Sequence, residues 1–156
     1  MKKLALLFSA LFMFALVNAQ SNKEEIELYQ AAFGMDKKAV VAEFVKVDAA
    51  QKDAFWKLYD QYETERKELG KKRIDLLSQY ADNFNKLTNE FADKWVVDVI
   101  DLGKKTDGLL ASYYGKVKKA TNPVVALQFW QVESYILSVI RFSILDEIPF
   151  PEMKVK

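Results

Sequence analysis

The sequence predicts an all-α protein built from long antiparallel helical hairpins. We expect three long helices, one or two short helices before them, and no sheet. Apolar side chains recur at steps of three and four residues over long stretches, which is the spacing of one helix face. Proline is absent from residues 1 to 122, so nothing breaks these stretches before the last predicted helix. No segment shows the two-residue alternation of a half-buried strand.

The first residues have the layout of a secretory signal peptide. Lys2 and Lys3 give a basic start, and an apolar run from Leu4 to Val17 follows. Small residues then predict cleavage after Ala19. The alternative is a retained membrane anchor, but the run is shorter than the roughly 20 residues that span a bilayer. We therefore expect an exported, periplasmic protein, with residues 20–46 forming short helices, residues 47–156 a helical bundle, and 20–156 a single domain.

Composition excludes several classes of function. The chain contains no histidine and no cysteine, so imidazole bases, thiol nucleophiles and the usual zinc ligands are missing. A formal net charge of +1 does not suggest nucleic acid or an anionic membrane as partner. Carboxylates such as Asp98 and Asp101 lie on a predicted helix, where solvated charges are the ordinary interpretation. We expect no enzyme activity, no cofactor and no metal site.

The first long helix is predicted over Ala49–Lys86, with Asp48 as its N-cap. Its apolar seam also contains Arg66 and Arg73, whose heads either reach water or meet acids on a facing helix. The seam consists of Phe55, Tyr59, Tyr62, Arg66, Leu69, Arg73, Leu76 and Tyr80. Before this helix, Asn22–Phe33 and Lys37–Val45 are candidates for short helices.

Two further long helices follow. Thr88 is the expected N-cap of Asn89–Ala120, whose three internal glycines imply either close backbone approach or a soft helix. Asn122 and Pro123 mark the start of the last helix, Pro123–Leu145. That helix is so apolar that it lies either at the centre of the bundle or against a partner. We expect the tail after it to fold back as an extended hook.

Two short segments resemble the Leu-Thr-x-x-Gln motif of the Spy and CpxP type periplasmic proteins. Val47-Asp48-Ala49-Ala50-Gln51 is a degenerate copy, and Leu87-Thr88-Asn89-Glu90-Phe91 keeps only the Leu-Thr half. Phe55–Glu63, with Arg73-Ile74, Tyr80-Ala81 and Glu147-Ile148-Pro149, is similar to a branch of small secreted proteins described as sensors of ECF-type sigma factors. The resemblance covers roughly residues 45–149.

The resemblance implies a periplasmic helical protein, often a curved dimer. Such a protein binds non-native polypeptide without ATP, or modulates an envelope stress sensor. Some members of the family bind metal, and the lack of histidine and cysteine departs from that pattern. Asp48, Gln51, Leu87 and Thr88 are the positions that match its helix-start motif.

Aromatic residues are the candidate partner contacts. They are dense for a small bundle, and core packing is the alternative role for each. The candidates are Trp56, Tyr62, Trp95, Tyr114 and Trp130. Three functions remain open at this point: chaperone-like or stress-related polypeptide binding, a structural subunit of a helical homo-oligomer with a dedicated partner, and small-molecule binding in the bundle interior.

Overall fold

The computed structural model describes residues 37–149 and residue 151, and this part of the chain is helical without any strand. The all-α prediction is therefore confirmed. The four α-helices in these residues are α1 (Lys37–Phe44), α2 (Lys52–Asn83), α3 (Asn89–Ala120) and α4 (Pro123–Glu147). The predicted signal peptide and the predicted helix over 22–33 lie outside the described residues.

The first long helix has the predicted extent but not the predicted start. A 3-10 turn, Ala49–Gln51, precedes α2, and a second one, Phe84–Lys86, follows it. Asp48 makes no side-chain cap hydrogen bond, so the predicted carboxylate cap is wrong. The reason lies in the backbone, because the N–H of Gln51 donates to the carbonyl oxygen of Asp48 at 2.9 Å and tightens the turn.

The two other predicted caps are confirmed. Thr88 Oγ1 accepts a hydrogen bond from the N–H of Phe91 at 3.2 Å, at the start of α3. Asn122 Oδ1 accepts from the N–H groups of Val124 and Val125 at 2.9 and 3.0 Å. Pro123 occupies the first turn of α4, where a missing N–H costs nothing. These caps fix where α3 and α4 begin.

Helices α2, α3 and α4 run antiparallel to their neighbours in sequence. Trp95 Nε1 donates to the carbonyl oxygen of Leu76 at 2.8 Å, and the Tyr113 hydroxyl donates to Glu65 at 2.6 Å. Helix α1 is antiparallel to both α2 and α4, because Lys37 lies beside Glu133 and the N–H of Lys46 donates to Gln128. It fills the groove that α2 and α4 form.

One apolar core joins all four helices. The rings of Phe55, Tyr59, Tyr62, Tyr113 and Phe129 meet there, many of them edge to face. The other buried members are Val40, Val41, Val45, Leu110, Val117, Val125, Ala126, Val132, Ile136 and Ile140. The predicted seam of α2 is buried at its first four positions and at Leu76.

Within the described residues, no other helix packs closely against the three glycines of α3. A Cβ atom placed on Gly108 or Gly115 would meet nothing within 4 Å, and one on Gly103 would lie 3.6 Å from Arg141 Nη2, an ordinary contact. The prediction that these glycines allow close backbone approach is therefore wrong, and the alternative that they make α3 a soft helix remains. After α4, Ile148 is extended and the carbonyl of Pro149 accepts a hydrogen bond from the Tyr80 hydroxyl at 2.9 Å. The described residues do not test whether the tail folds back, so the hook stays a prediction.

Candidate functional site: an apolar outer face and a buried charged cluster

Helix α4 exposes large apolar side chains along one side. Their spacing of three, seven or eight residues places them on one face, which we call the α4 outer face. It consists of Val124 (63 % exposed), Leu127 (47 %), Tyr135 (62 %), Phe142 (70 %) and Leu145 (60 %). Gln131, Ser138 and Arg141 lie among them. An exposed apolar stripe with a few polar residues is typical of an interaction surface.

Helix α3 extends this surface at one end. Gly103 lies next to Arg141, and the two helices are antiparallel. Val99 and Ile100, one turn before Gly103, therefore lie beside the part of α4 that exposes Phe142 and Leu145. Ile100 is 51 % exposed, and Val96, one turn further, is 48 % exposed.

Helix α4 is also long and apolar enough to span a membrane. Among the described residues, Pro123–Asp146 is the one segment that passes this test, with a mean hydropathy of 1.2. The core helix of a protein outside the membrane passes the same test. Here the opposite face of α4 packs in the core through Phe129, Ile136 and Ile140. Length and composition thus do not assign a membrane role.

The inner face of α4 carries a charge. Glu133 is fully buried and accepts a hydrogen bond from Lys37 Nζ at 2.7 Å. Lys37 also donates to Glu63, and Arg66 Nε donates to the same carboxylate at 2.7 Å. We call Lys37, Glu63, Arg66 and Glu133 the buried charged cluster. Among the described residues, its two positive and two negative charges balance, and burial of charges is tolerated where they are paired in this way.

The surroundings of the buried charged cluster shift the pKa values of Glu63 and of two nearby tyrosines. Burial alone would raise the pKa of Glu63, but the charges of Lys37 and Arg66 outweigh it and lower that pKa from 4.5 to about 2. Burial, and then the charge of Glu133, raises the pKa of both Tyr59 and Tyr62 far above the usual phenol value. Both phenols therefore remain neutral. Their hydroxyls, and Oε1 of Glu133, are buried without a hydrogen bond within the described residues.

The predicted aromatic contacts do not form one site. Trp56 is half-buried near the start of α2, stacked edge-on against Phe55 and under Lys38, whose Nζ lies 5.2 Å from the ring centroid. Trp95 lies toward the other end of α2, where its ring packs against Tyr80. These two residues have separate surroundings.

The prediction that Tyr62 contacts a partner is wrong. It is 1 % exposed, because it points into the core against Tyr113 and Phe129. Tyr114 is partly buried and packs against the same core. Trp130 is 45 % exposed and borders the α4 outer face. Of the five predicted contacts, Trp130 alone adjoins that face.

The helix-start residues have structural roles. Gln51 Nε2 donates to the carbonyl of Thr121 at 3.3 Å, which ties the start of α2 to the loop before α4. Leu87 is partly buried in an extended conformation between the second 3-10 turn and α3. Thr88 caps α3 and Asp48 does not cap α2.

The surface carboxylates pair with lysines on their own helix. Asp98 pairs with Lys94, and Asp101 pairs with Lys105 at 2.5 Å, which lowers the pKa of Asp101. Over the described ranges, no three metal-ligating side chains come together. Two depressions on the surface are shallow. One is lined by the outer side of α2 around Trp56, and the other lies between α2 and α3 among these paired charges.

Sequence reasoning missed Lys37 and Glu133. Glu133 gives a signal that could have been used, because it is the only charged residue between Pro123 and Ile140. An isolated charge in an apolar helix predicts a buried partner. Lys37 gives no such signal, since Lys38 follows it and only packing distinguishes the two. Arg66 is also buried, so the interpretation that its head reaches water is wrong.

No family model, curated protein or solved structure matches this chain. The resemblance to the Spy and CpxP type proteins therefore stays a prediction, carried by the motifs quoted above.

Proposed function

We propose that this protein is an exported, non-enzymatic binding protein that holds apolar segments of non-native polypeptide, or of a stress-sensor domain, on the α4 outer face. The observation that carries this proposal is the exposure of five large apolar side chains on one side of a single helix. Apolar area of this kind binds without chemical steps and without ATP, because its removal from water supplies the driving force. The resemblance to Spy and CpxP type proteins supports the same role.

A second candidate is a structural subunit whose α4 outer face is covered permanently by a partner or a second copy. The continuity of the face from Val124 to Leu145 favours this alternative. A flat helix face suits a helical partner, as in many homo-oligomers. The two candidates differ in whether the face is free in solution.

Aggregation suppression separates them. Residues 20–156 are mixed with a chemically denatured test protein without ATP, and light scattering is followed while the mass of the protein is measured in parallel. We expect suppression near equimolar ratios by a monomer or weak dimer. Absence of suppression together with a stable oligomer would favour the structural subunit.

Charged substitutions locate the surface. Leu127→Lys combined with Phe142→Lys places two charges on the α4 outer face and should abolish suppression. The matched control is Ser78→Lys combined with Ala111→Lys, which adds the same charges at exposed positions of α2 and α3. If both variants suppress aggregation equally well, the α4 outer face is not the binding surface.

A further inference from the structure

The α4 outer face has the same pattern when it is followed from either end. Apart from Arg141, which turns toward Gly103 of α3, its positions run apolar, apolar, polar from each end toward the centre at Tyr135. The matching residues lie at equal distances from a point between Ser134 and Tyr135. They are Val124 with Leu145, Leu127 with Phe142, and Gln131 with Ser138. A two-fold axis through that point would bring each of these residues next to its match in a second copy, which is the arrangement of a two-fold dimer interface.

The spacing along the face suits a second helix. The residues Val124, Gln131, Ser138 and Leu145 follow one another at intervals of seven. This repeat keeps one line of side chains facing a partner helix over its whole length. The partner of the face is therefore a helix that runs along α4, and the outer face of a second α4 has this form.

The two polar residues of this line are compatible with each other. Antiparallel pairing about the axis places Gln131 of one copy beside Ser138 of the other. The Ser138 hydroxyl donates to the carbonyl oxygen of Ser134 at 2.8 Å within α4, so its oxygen can accept a hydrogen bond from the Gln131 amide. A polar pair at a helix seam fixes the register of the two helices.

The face has about the area that a weak dimer needs. Its five large apolar side chains, and Trp130 at its border, are 45–70 % exposed. At these fractions they offer roughly 100 Å² each, or about 600 Å² together. The polar residues among them add to this area, and a specific interface buries about 800 Å² of each partner. Because the area lies at the low end of this class, we expect association at micromolar concentrations.

Charges at the two ends of α4 favour the antiparallel direction. Asp146 lies in the last turn of α4, where the negative end of the helix dipole disfavours a carboxylate. The exposed Lys118 and Lys119 lie in the last turn of α3, just before α4 begins. In an antiparallel pair, Asp146 of each copy lies beside the positive start of α4 and near these lysines of the other copy. A parallel pair would bring the two acidic ends together instead.

We propose that a second copy of this chain covers the α4 outer face when no polypeptide client is bound, in an antiparallel pair whose two-fold axis passes between Ser134 and Tyr135. This pairing rests on the function proposed above, in which the same face is an interaction surface. The fraction of the face that is free then depends on concentration, because dilution separates the two copies and a client competes with the second copy.

Sedimentation equilibrium measures the association. The mass should rise from one chain toward two as the protein concentration increases from about 1 µM to about 1 mM. It should not exceed two chains, because a two-fold interface closes on itself. A protein that stays monomeric over this range, or one that forms larger species without a plateau at two chains, would overturn the proposal.

The sign of one introduced charge tests the direction of pairing. Leu127→Lys with Phe142→Lys brings like charges together in the antiparallel pair, whereas Leu127→Lys with Phe142→Glu brings opposite charges together. Within one chain the two positions lie about 22 Å apart along the helix, which is beyond the reach of screened charges at about 0.1 M salt. At this salt concentration we expect the lysine–glutamate variant to dimerise about tenfold more tightly than the lysine–lysine variant.

A parallel pair gives a different result, because each residue then faces its own equivalent and both variants are repelled. Equal dissociation constants of the two variants would therefore overturn the proposal. Both positions are exposed, so both variants should fold, which circular dichroism checks.

Disulfide cross-linking is independent of these charges, and the chain contains no cysteine of its own. Tyr135→Cys places a thiol next to the axis, where it meets the thiol of the second copy. Val124→Cys places a thiol about 30 Å from its equivalent in the antiparallel pair, too far to form a disulfide. Under mild oxidation, Tyr135→Cys should form a covalent dimer and Val124→Cys should not. Cross-linking at Val124, or its absence at Tyr135, would contradict the pairing.

Failure of this pairing and failure of the proposed function give different results. A protein that suppresses aggregation but is monomeric at every concentration would overturn the pairing and leave the proposed function in place. A dimer that does not suppress aggregation would do the reverse. When both hold, an excess of denatured client should lower the population of the dimer, because the client and the second copy compete for one face.

Discussion

The inner face of α4 carries a charge into the core, whereas its outer face presents five large apolar side chains to solvent. Glu133 is fully buried, and Phe142, only nine positions later, is 70 % exposed. Each face departs from the usual rule that apolar residues lie inside and charges outside. Contacts within the chain account for the inner face, whereas the outer face has its explanation only in the binding function proposed above.

The largest loss of stability should come from disrupting the buried ion pair on the inner face of α4. Glu133→Ala removes one negative charge from the buried charged cluster and takes from Lys37 one of the two buried carboxylates with which it pairs. Leaving a buried charge uncompensated costs about 3–5 kcal/mol of unfolding free energy. Urea denaturation of the variant and the unchanged chain measures this loss.

A double-mutant cycle separates the charge from the packing. Lys37→Met combined with Glu133→Leu removes both partners and fills their space with apolar atoms, which is often neutral for a buried pair. The double variant should therefore be more stable than either single variant. Simple additivity of the two losses would show that the pair is not coupled, and the inner face would then hold α1 by its valines alone.

Acid should weaken the same cluster. The pKa of Glu63 in the folded protein, about 2, lies below its usual value of 4.5. Its contribution to stability is therefore complete above about pH 5 and is lost as the pH falls toward 2. The shift corresponds to about 3 kcal/mol of unfolding free energy. Urea midpoints measured from pH 7 to pH 2 should fall over this window, and less steeply in a Glu63→Gln variant. An equal slope in that variant would assign the acid sensitivity to other carboxylates.

More of the fold than of the site could be predicted from the sequence, because the two depend on different information. Helix starts at Thr88 and Asn122 follow from a side chain and the backbone two or three residues away, so local sequence is sufficient. Asp48 shows the limit of this reasoning. The N–H of Gln51 bonds to the Asp48 carbonyl oxygen in a 3-10 turn, and the Asp48 carboxylate makes no cap hydrogen bond.

The site depends on packing across the chain. Glu63 lies four residues before Lys67, a spacing that predicts an ion pair on one helix face, but it pairs with Lys37 from α1. Tyr62 and Trp130 are both aromatic residues on amphipathic helices, and only the position of neighbouring helices decides that one is buried and the other exposed. Composition and periodicity contain no information on that choice.

A smaller loss of stability should come from the N-cap of α4, which fixes where the helix begins. Asn122→Ala removes the acceptor of two backbone hydrogen bonds and should cost about 1 kcal/mol of unfolding free energy. Asp48→Ala is the matched control, because Asp48 has no side-chain cap bond to lose, and should stay within about 0.5 kcal/mol. Equal losses in the two variants would mean that the Asn122 cap contributes nothing beyond the turn itself.

The smallest effect on stability should come from the outer face. Leu127→Ala should change the unfolding free energy by no more than about 0.5 kcal/mol, as is usual for exposed positions. Ile136→Ala is the matched inner control and should cost about 2–5 kcal/mol, because Ile136 is fully buried. A loss at Leu127 as large as that at Ile136 would show that the α4 outer face is covered in solution. Dilution would then identify the cover, since only association with a second copy makes the unfolding midpoint depend on protein concentration.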